Sequence, residues 1–310
     1  MALALGSLTA SKIYLGATEI NLAYFGATQV YTSGPVVSYL LDDYSGSAVG
    51  YSLRNLSSSW TSSDVVEVRR SSDNATLGFT ATEVSDGTML AWVGTGGTDN
   101  GFVTTWYDQS GNTNHATQAT PASQPKVVDA GVLVLSNGNA AIKSTSSNLM
   151  TFSMASLSAD GQQSVFGVLE NDVTSQDGFT AAFSMLSSST STGGVNRRPF
   201  WFIDPSGNLL FSVDSDSGYS NTDRDRRLYS HIMEDTAGGT STVYQDGTQV
   251  DTRLITLDAN ASFSLGGLLG AGTNAVGALY MSEVIYYPSD QSASRVAIEG
   301  NIASHYDITI

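Results

Sequence analysis

Short apolar runs recur along the whole chain, parted by clusters of Gly, Ser, Thr, Asn and Asp. "VVEVRR", "GVLVLS", "SVFGVLE", "PFWFI", "NLLFSV", "STVYQDGTQV" and "GALYMSEVIYY" carry the pattern. Runs of strand length with turn residues between them predict a β-sandwich or barrel. Two reversals are explicit. Asp246-Gly247 lies between "TVYQ" and "TQV", where a tight hairpin needs positive φ angles. Pro205-Ser206-Gly207-Asn208 does the same between "FWFI" and "LLFSV". Helical spacing is sparse: one helix is expected from about Ser289, with Arg295, Ile298, Ile302 and Tyr306 on one face, and a short turn at residues 89–93. The pattern therefore reads as an all-β chain closed by a C-terminal helix.

The start of the chain is doubled. "IYLGATEI" and "AYFGATQV" place strand formers on either side of Gly-Ala-Thr, so each repeat is expected to be a small hairpin and the pair a β-meander. Hairpins this small are marginal alone in water. Their apolar residues, Ile13, Tyr14, Leu15, Tyr24, Phe25, Val30 and Tyr31, need a surface to dock on. That surface is either the same chain or another subunit, and both readings stay open on physical grounds. The chain is divided accordingly into a docking segment, residues 1–34, and a sandwich, residues 35–310.

Composition narrows the function classes. With 310 residues the chain can bury a large core, and with no cysteine it must do so without disulfides or thiolate metal sites. Its 13 Lys plus Arg against 29 Asp plus Glu give a formal charge of −16, which repels phosphate backbones and anionic lipid. Nucleic-acid partners are not expected. The opening "MALALGSLTASK" has no basic residue before its short apolar stretch, so no export signal is expected. No apolar run approaches the roughly 20 residues of a membrane span, and no membrane insertion is expected.

Two resemblances add to this. "KIYLGATEI" and "AYFGATQVY" resemble an opening segment of tailed-phage and prophage virion proteins. That likeness implies a structural virion component, docked to capsid or tail subunits and present in several copies as a homo-oligomer. "YSLRNLSSSW", "VRRSSDNATLGF" and "FVTTWYDQSGNTNHATQATPASQPKVV" resemble the concanavalin A-like catalytic domain of α-L-arabinofuranosidase B, as do "TVYQDGTQV" and "LYMSEVIYYPSDQSASRVAIEGNIASHY". The implied fold is a concanavalin A-like jelly-roll β-sandwich, preceded by the small meander and followed by the helix.

Retaining hydrolysis needs two carboxyl groups about 5 to 5.5 Å apart. The resemblance places Gly272 or Thr273 where the family has its acid/base Asp, and Phe200 or Trp201 where it has its nucleophilic Glu. The family's vicinal cysteine pair is also missing. These departures imply that the chain is not an enzyme, with an active glycosidase as the alternative. Glu170, Asp172, Asp204, Glu234 and Glu283 lie near strand ends and are the carboxylates that could substitute.

For sugar binding, the expected residues are Trp106, Tyr107, Asp108, Gln109, Trp201 and Asp204: indole faces for stacking, with carboxylate and amide groups for hydroxyls. Host surface polysaccharide is the expected partner. Trp201 aligns with the mouth of the family's active site. The Tyr107–Gly111 string has a second reading, a turn in which Asp108 caps its own backbone. In "VDSDSGYSNTDRDRR", Asp214, Asp216 and Asp223, with Asn221 and Asp225, could hold calcium through clustered oxygen ligands. Gly218 is out of step with an EF-hand and Arg224, Arg226 and Arg227 intervene, so a loop of internal ion pairs is the leading reading and no metal is assigned. His115, His231 and His305 lack ligand spacing. No nucleophile elbow or phosphate loop occurs.

Overall fold

The structure, a computed structural model, describes residues 38–146, 148–158, 162–178, 180–184, 200–212, 219–233, 239–254, 262–268 and 273–310, and the strand segments 14–15, 18–19, 22–25 and 28–32. The chain divides into two compact units, Met1–Ser38 and Tyr39–Ile310. In the first, Tyr14–Leu15 pairs with Thr18–Glu19, and Leu22–Phe25 with Thr28–Thr32, both antiparallel. Each repeat is thus its own hairpin, in its own two-stranded sheet rather than one continuous meander. Ile13 and the side chains of the other expected docking residues lie outside the described residues.

The second unit is an all-antiparallel sandwich. One sheet runs through Thr248–Leu254, Thr240–Gln245, Arg227–Met233, Gln163–Asn171, Leu279–Tyr287 and Val49–Ser52. The other runs from Tyr219–Asn221 through Leu209–Ser212, Phe200–Ile203, Thr180–Ser184, Ser262–Leu268 and Met150–Ser158. It continues through Ala116–Thr117 and Gly101–Trp106 to Asp64–Arg70 and Thr76–Thr80. Along one side the sheets are joined by a seam, because Lys126–Asp129 pairs with Gly101–Trp106 and Ile142–Ser144, and Ile142–Ser144 pairs in turn with Leu279–Tyr287.

"SVFGVLE" reads as a continuous apolar run because both faces of its strand are covered. Val165 and Leu169 face the inner core between the sheets, whereas Phe166 and Val168 face an outer core under the C-terminal helix. Inside, aromatic rings bridge the two sheets: Phe211 lies 4.7 Å from Tyr229, and Phe183 6.4 Å from Tyr286. At Gly167 they approach closely, since a Cβ there would lie 2.7 Å from Trp201 Cζ3. On Leu279–Tyr287 a register shift inserts Ser282 between Met281, opposite Leu169, and Glu283, opposite Val168. This bulge lets Met281 face inward and Glu283 outward.

The helix spans Arg295–Tyr306, shorter than its periodic pattern, and packs Ile298, Ile302, Ala303 and Tyr306 on Leu40, Leu41 and Leu56. Residues 289–292 stay in a turn because Ser164 Oγ donates to Ser289 O and accepts from Gln291 N, and Asp290 accepts from Ser292. The expected turn at 89–93 is a helix, Thr88–Val93. Two further short helices, Leu40–Asp43 and Ala81–Ser85, carry too few residues to leave a periodic trace. The hairpin at Asp246-Gly247 has φ values of 47° and 75°, as its sequence requires.

Candidate functional site

The Tyr107–Gly111 string forms a clamp rather than a sugar platform. Asp108 accepts from the backbone N–H groups of Gly50 (2.8 Å), Ser110 (2.9 Å) and Asn114 (3.0 Å). Gln109 accepts from Leu56 N at 2.8 Å and donates to Ser52 O and Arg54 O at 3.0 and 2.8 Å. Both side chains are buried with their polar atoms spent on the chain itself, so the turn reading holds and the carbohydrate-contact reading is corrected. Half-buried Tyr107 packs edge-on against His115, whose Nδ1 accepts from Asp108 N. Desolvation, opposed by the Asp108 charge, lowers the His115 pKa.

Trp106 and Trp201 are wholly buried, and neither offers a face to a pyranose. The expectation of Trp201 at an open mouth fails because its ring fills the space left by Gly167 between the sheets. Its Nε1–H donates to His231 Nδ1 at 3.2 Å, and His231 Nε2 meets Ser241 Oγ at 2.6 Å. Asp204 accepts from Asn208 N and Nδ2 at 2.8 and 3.1 Å and closes the 204–208 turn.

In the acidic loop, Asp214 and Asp216 lie outside the described residues. Asp223 is held by Arg227 Nε at 2.7 Å, and Arg227 also reaches Asp225 and Asp246, both at 3.2 Å. Burial opposes, but the backbone N–H of Asp225 and the Arg227 guanidinium keep the Asp223 pKa below its ordinary value. Arg224 turns instead to Gly207 O, and Arg226 to Ser136 O and Tyr306 O.

The sandwich does have a cleft, of about 400 Å³, which no pattern in the sequence located. One wall is Leu53, Arg54 and Asn55, the segment that Gln109 pins after strand Val49–Ser52. A second is helix Ala81–Ser85, started by a capping box in which Thr80 Oγ1 accepts from Glu83 N and Glu83 Oε2 accepts from Thr80 N. A third is the hairpin of Leu135–Ser136 and Asn139–Ala140, turned by Asn137 and Gly138 at φ 45° and 87°. His305 and Tyr306 close it from the helix end.

Two of the lining residues, Arg54 and Tyr306, belong to a buried polar cluster around Glu283. Arg54 grips buried Glu283 with two bonds, Nε to Oε2 at 2.7 Å and Nη2 to Oε1 at 2.9 Å. Ser52 Oγ and Tyr306 OH donate to the same Oε2 at 2.8 and 3.2 Å. Desolvation opposes the Arg54 charge, yet Glu283 outweighs it and raises the Arg54 pKa. Burial first, then the Glu283 charge, pushes the Tyr306 hydroxyl well above its ordinary value, so it stays a donor. Desolvation and the Arg54 charge lower the His305 pKa. A bidentate pair of this geometry commits both charges to each other. Among the described residues, none that lines the cleft carries a carboxyl group. The cleft is lined by the apolar Leu53, Val84 and Leu133 and by the polar Asn55, Thr82 and Asn139, room for a ring-sized ligand, but its lining supplies no acid/base pair.

Of the carboxylates considered as substitutes, Glu283 is locked in this pair, Glu170 accepts from Ser136 Oγ at 2.7 Å, and Asp172 is exposed. Glu234 lies outside the described residues. A trace of the Arg54 cluster was present in "YSLRNL", where a charged side chain sits between two leucines.

No protein-family model matches the chain, and no curated protein matches it in sequence. Solved structures do. An arabinofuranosidase complexed with arabinofuranosyl-α-1,2-xylobiose superposes with a TM-score of 0.60 at 16% identity, covering 85% of this chain and 64% of its own. A GH54 α-L-arabinofuranosidase soaked with a cyclic sulfate inhibitor gives 0.57 at 15% identity, and a mutant of such an enzyme soaked with 4-nitrophenyl α-L-arabinofuranoside gives the same values, each with the same coverage. The chain thus spans 64% of the length of these enzymes. The concanavalin A-like sandwich expected from the sequence is the fold observed. The expectation that the chain is not an enzyme is corrected, because the structures it matches over most of its length are glycoside hydrolases.

Proposed function

We propose that the unit Tyr39–Ile310 is a glycan-processing domain, a glycoside hydrolase acting on furanosides of the arabinose kind, with its carboxylate pair outside the cleft that Arg54 and Tyr306 line. The observation that carries this reading is the shared fold over 85% of the chain with arabinofuranosidases, one of them holding an arabinofuranosyl oligosaccharide. The assay is release of 4-nitrophenol from 4-nitrophenyl α-L-arabinofuranoside by the full chain. Turnover above the rate of a heat-denatured control is expected; none at high protein concentration overturns the proposal.

The doubled start supports a further element of the same proposal, that the first unit fastens this domain to other subunits of a virion. Two hairpins in separate two-stranded sheets are each marginal alone, which favours a docking role. Removal of residues 1–34 is expected to leave a folded sandwich that no longer enters particles, and incorporation of the shortened chain at the normal level overturns it.

A further inference from the structure

Across the seam, six strands place one residue each in a single row. Arg69 lies opposite Phe102, Phe102 opposite Lys126, Lys126 opposite Lys143, Lys143 opposite Tyr280, and Tyr280 opposite Glu170. All six are partly exposed, while their strand neighbours Val68, Val103, Val127, Ile142 and Met281 are buried. The row therefore stands on the outer surface of the sheet, facing solvent.

Its charge runs against the rest of the molecule. The chain has 13 Lys plus Arg for 29 Asp plus Glu, yet here Arg69, Lys126 and Lys143 meet only two carboxylates, Asp129 beside the two lysines and Glu170 at the end of the row. Asp129 accepts from Lys126 at 2.6 Å and Lys143 at 2.9 Å. Burial opposes, but the two ammonium groups hold its pKa below the ordinary value. Arg69 has no such partner. Its guanidinium donates to two neutral amides, Gln124 Oε1 at 2.8 Å and Asn74 Oδ1 at 2.7 Å, and no carboxylate among the described residues pairs with it. Phe102 supports it from below, with the Arg69 Cζ 4.4 Å from the ring centroid, and Tyr280 supports Lys143 at 5.9 Å.

We propose that this row is a binding track for a linear polyuronate, a polysaccharide carrying one carboxylate per sugar. Neighbouring strands are about 4.8 Å apart, so Lys126 and Lys143 stand one spacing from each other and Arg69 about two spacings from Lys126. This file, one side chain wide, carries one net positive charge at Arg69 and one shared by Lys126 and Lys143 around Asp129, which suits a thin chain with one carboxylate on each ring. Arg69 keeps its Nη2 without a partner among the described residues and so able to meet a carboxylate, while the half-buried rings of Phe102 and Tyr280 back Arg69 and Lys143 from beneath. The denser charge of a nucleic acid or an anionic bilayer meets repulsion from the surrounding acidic surface. Glu170 ends the track at its far side.

The assignment goes beyond the hydrolase reading and does not depend on it, since binding is measured without turnover. The experiment is calorimetric titration of the full chain with oligogalacturonate at low and high salt. Saturable binding is expected, weaker at high salt, and about tenfold weaker in Arg69→Gln and in Lys143→Gln. Unchanged urea midpoints in these variants would locate the loss in the track and not in the fold. Absence of binding, equal affinity in both variants, or equal affinity for the fully methyl-esterified oligomer overturns the assignment. Equal affinity for dextran sulfate or duplex DNA also overturns it, because the track would then be a general polyanion surface.

Discussion

The two faces of one sheet each bury an ionisable side chain, and they treat it in opposite ways. On the inner face His231 sits among Trp201, Phe211 and Tyr229, with only neutral partners, and desolvation lowers its pKa from 6.5 to about 3. On the outer face Glu283 is equally buried, but Arg54 grips it from the edge of the cleft. The first site resolves burial by shedding charge and the second by pairing it. An aromatic layer closed on all sides has no route by which a long cationic side chain can keep its stem near water. The outer face has one, because the Arg54 side chain is 16% exposed.

Breaking the pair tests the contrast most severely. Arg54→Met leaves Glu283 buried without its counter-charge, and a loss of about 3–5 kcal/mol is expected in urea denaturation. The double variant Arg54→Met, Glu283→Leu should recover most of it, since an apolar pair of similar volume is often as stable. A loss below about 1 kcal/mol in the single variant would show that solvent reaches Glu283 and that the two faces do not differ.

The inner site predicts a smaller, pH-dependent effect. Its folded pKa lies below the unfolded value, so the unfolded chain takes up a proton first as pH falls. Stability is full above about pH 6.5 and declines from there toward about pH 3, by at most about 1.4 kcal/mol per pH unit for this one group. His115 and His305, also lowered, add to the same slope. His231→Gln should flatten the decline between pH 6.5 and about pH 4.5, above the range in which Asp223 and the other depressed carboxylates act. An unchanged slope in the variant would mean that His231 is protonated inside the fold.

Much of the sandwich was legible because its strands are apolar runs bounded by turn residues. "SVFGVLE" and "GALYMSEVIYY" became the two central strands, and Asp246-Gly247 made the hairpin that it encodes. The helices at 40–43 and 81–85 were not legible, since one turn of helix leaves no period. Sites were harder for a different reason. Whether a tryptophan faces core or solvent depends on the opposite sheet, so the sequence does not show that Trp201 fills the core. Arg54 and Glu283 are separated by 229 residues, and the row from Arg69 to Glu170 exists only through pairings across six strands. The Tyr107–Gly111 turn was readable because two of the backbone N–H groups that Asp108 accepts from, those of Ser110 and Asn114, are local.

The Ser282 bulge gives the last strand two reading frames in one stretch of backbone. Before it, odd-numbered side chains look into the sandwich; after it, even-numbered ones do, as Leu279 and Met281 followed by Val284 and Tyr286 show. A single added residue thus decides which layer receives an acid and which receives a thioether. Without that phase change the acid would be aimed at the aromatic interior, where no guanidinium waits for it.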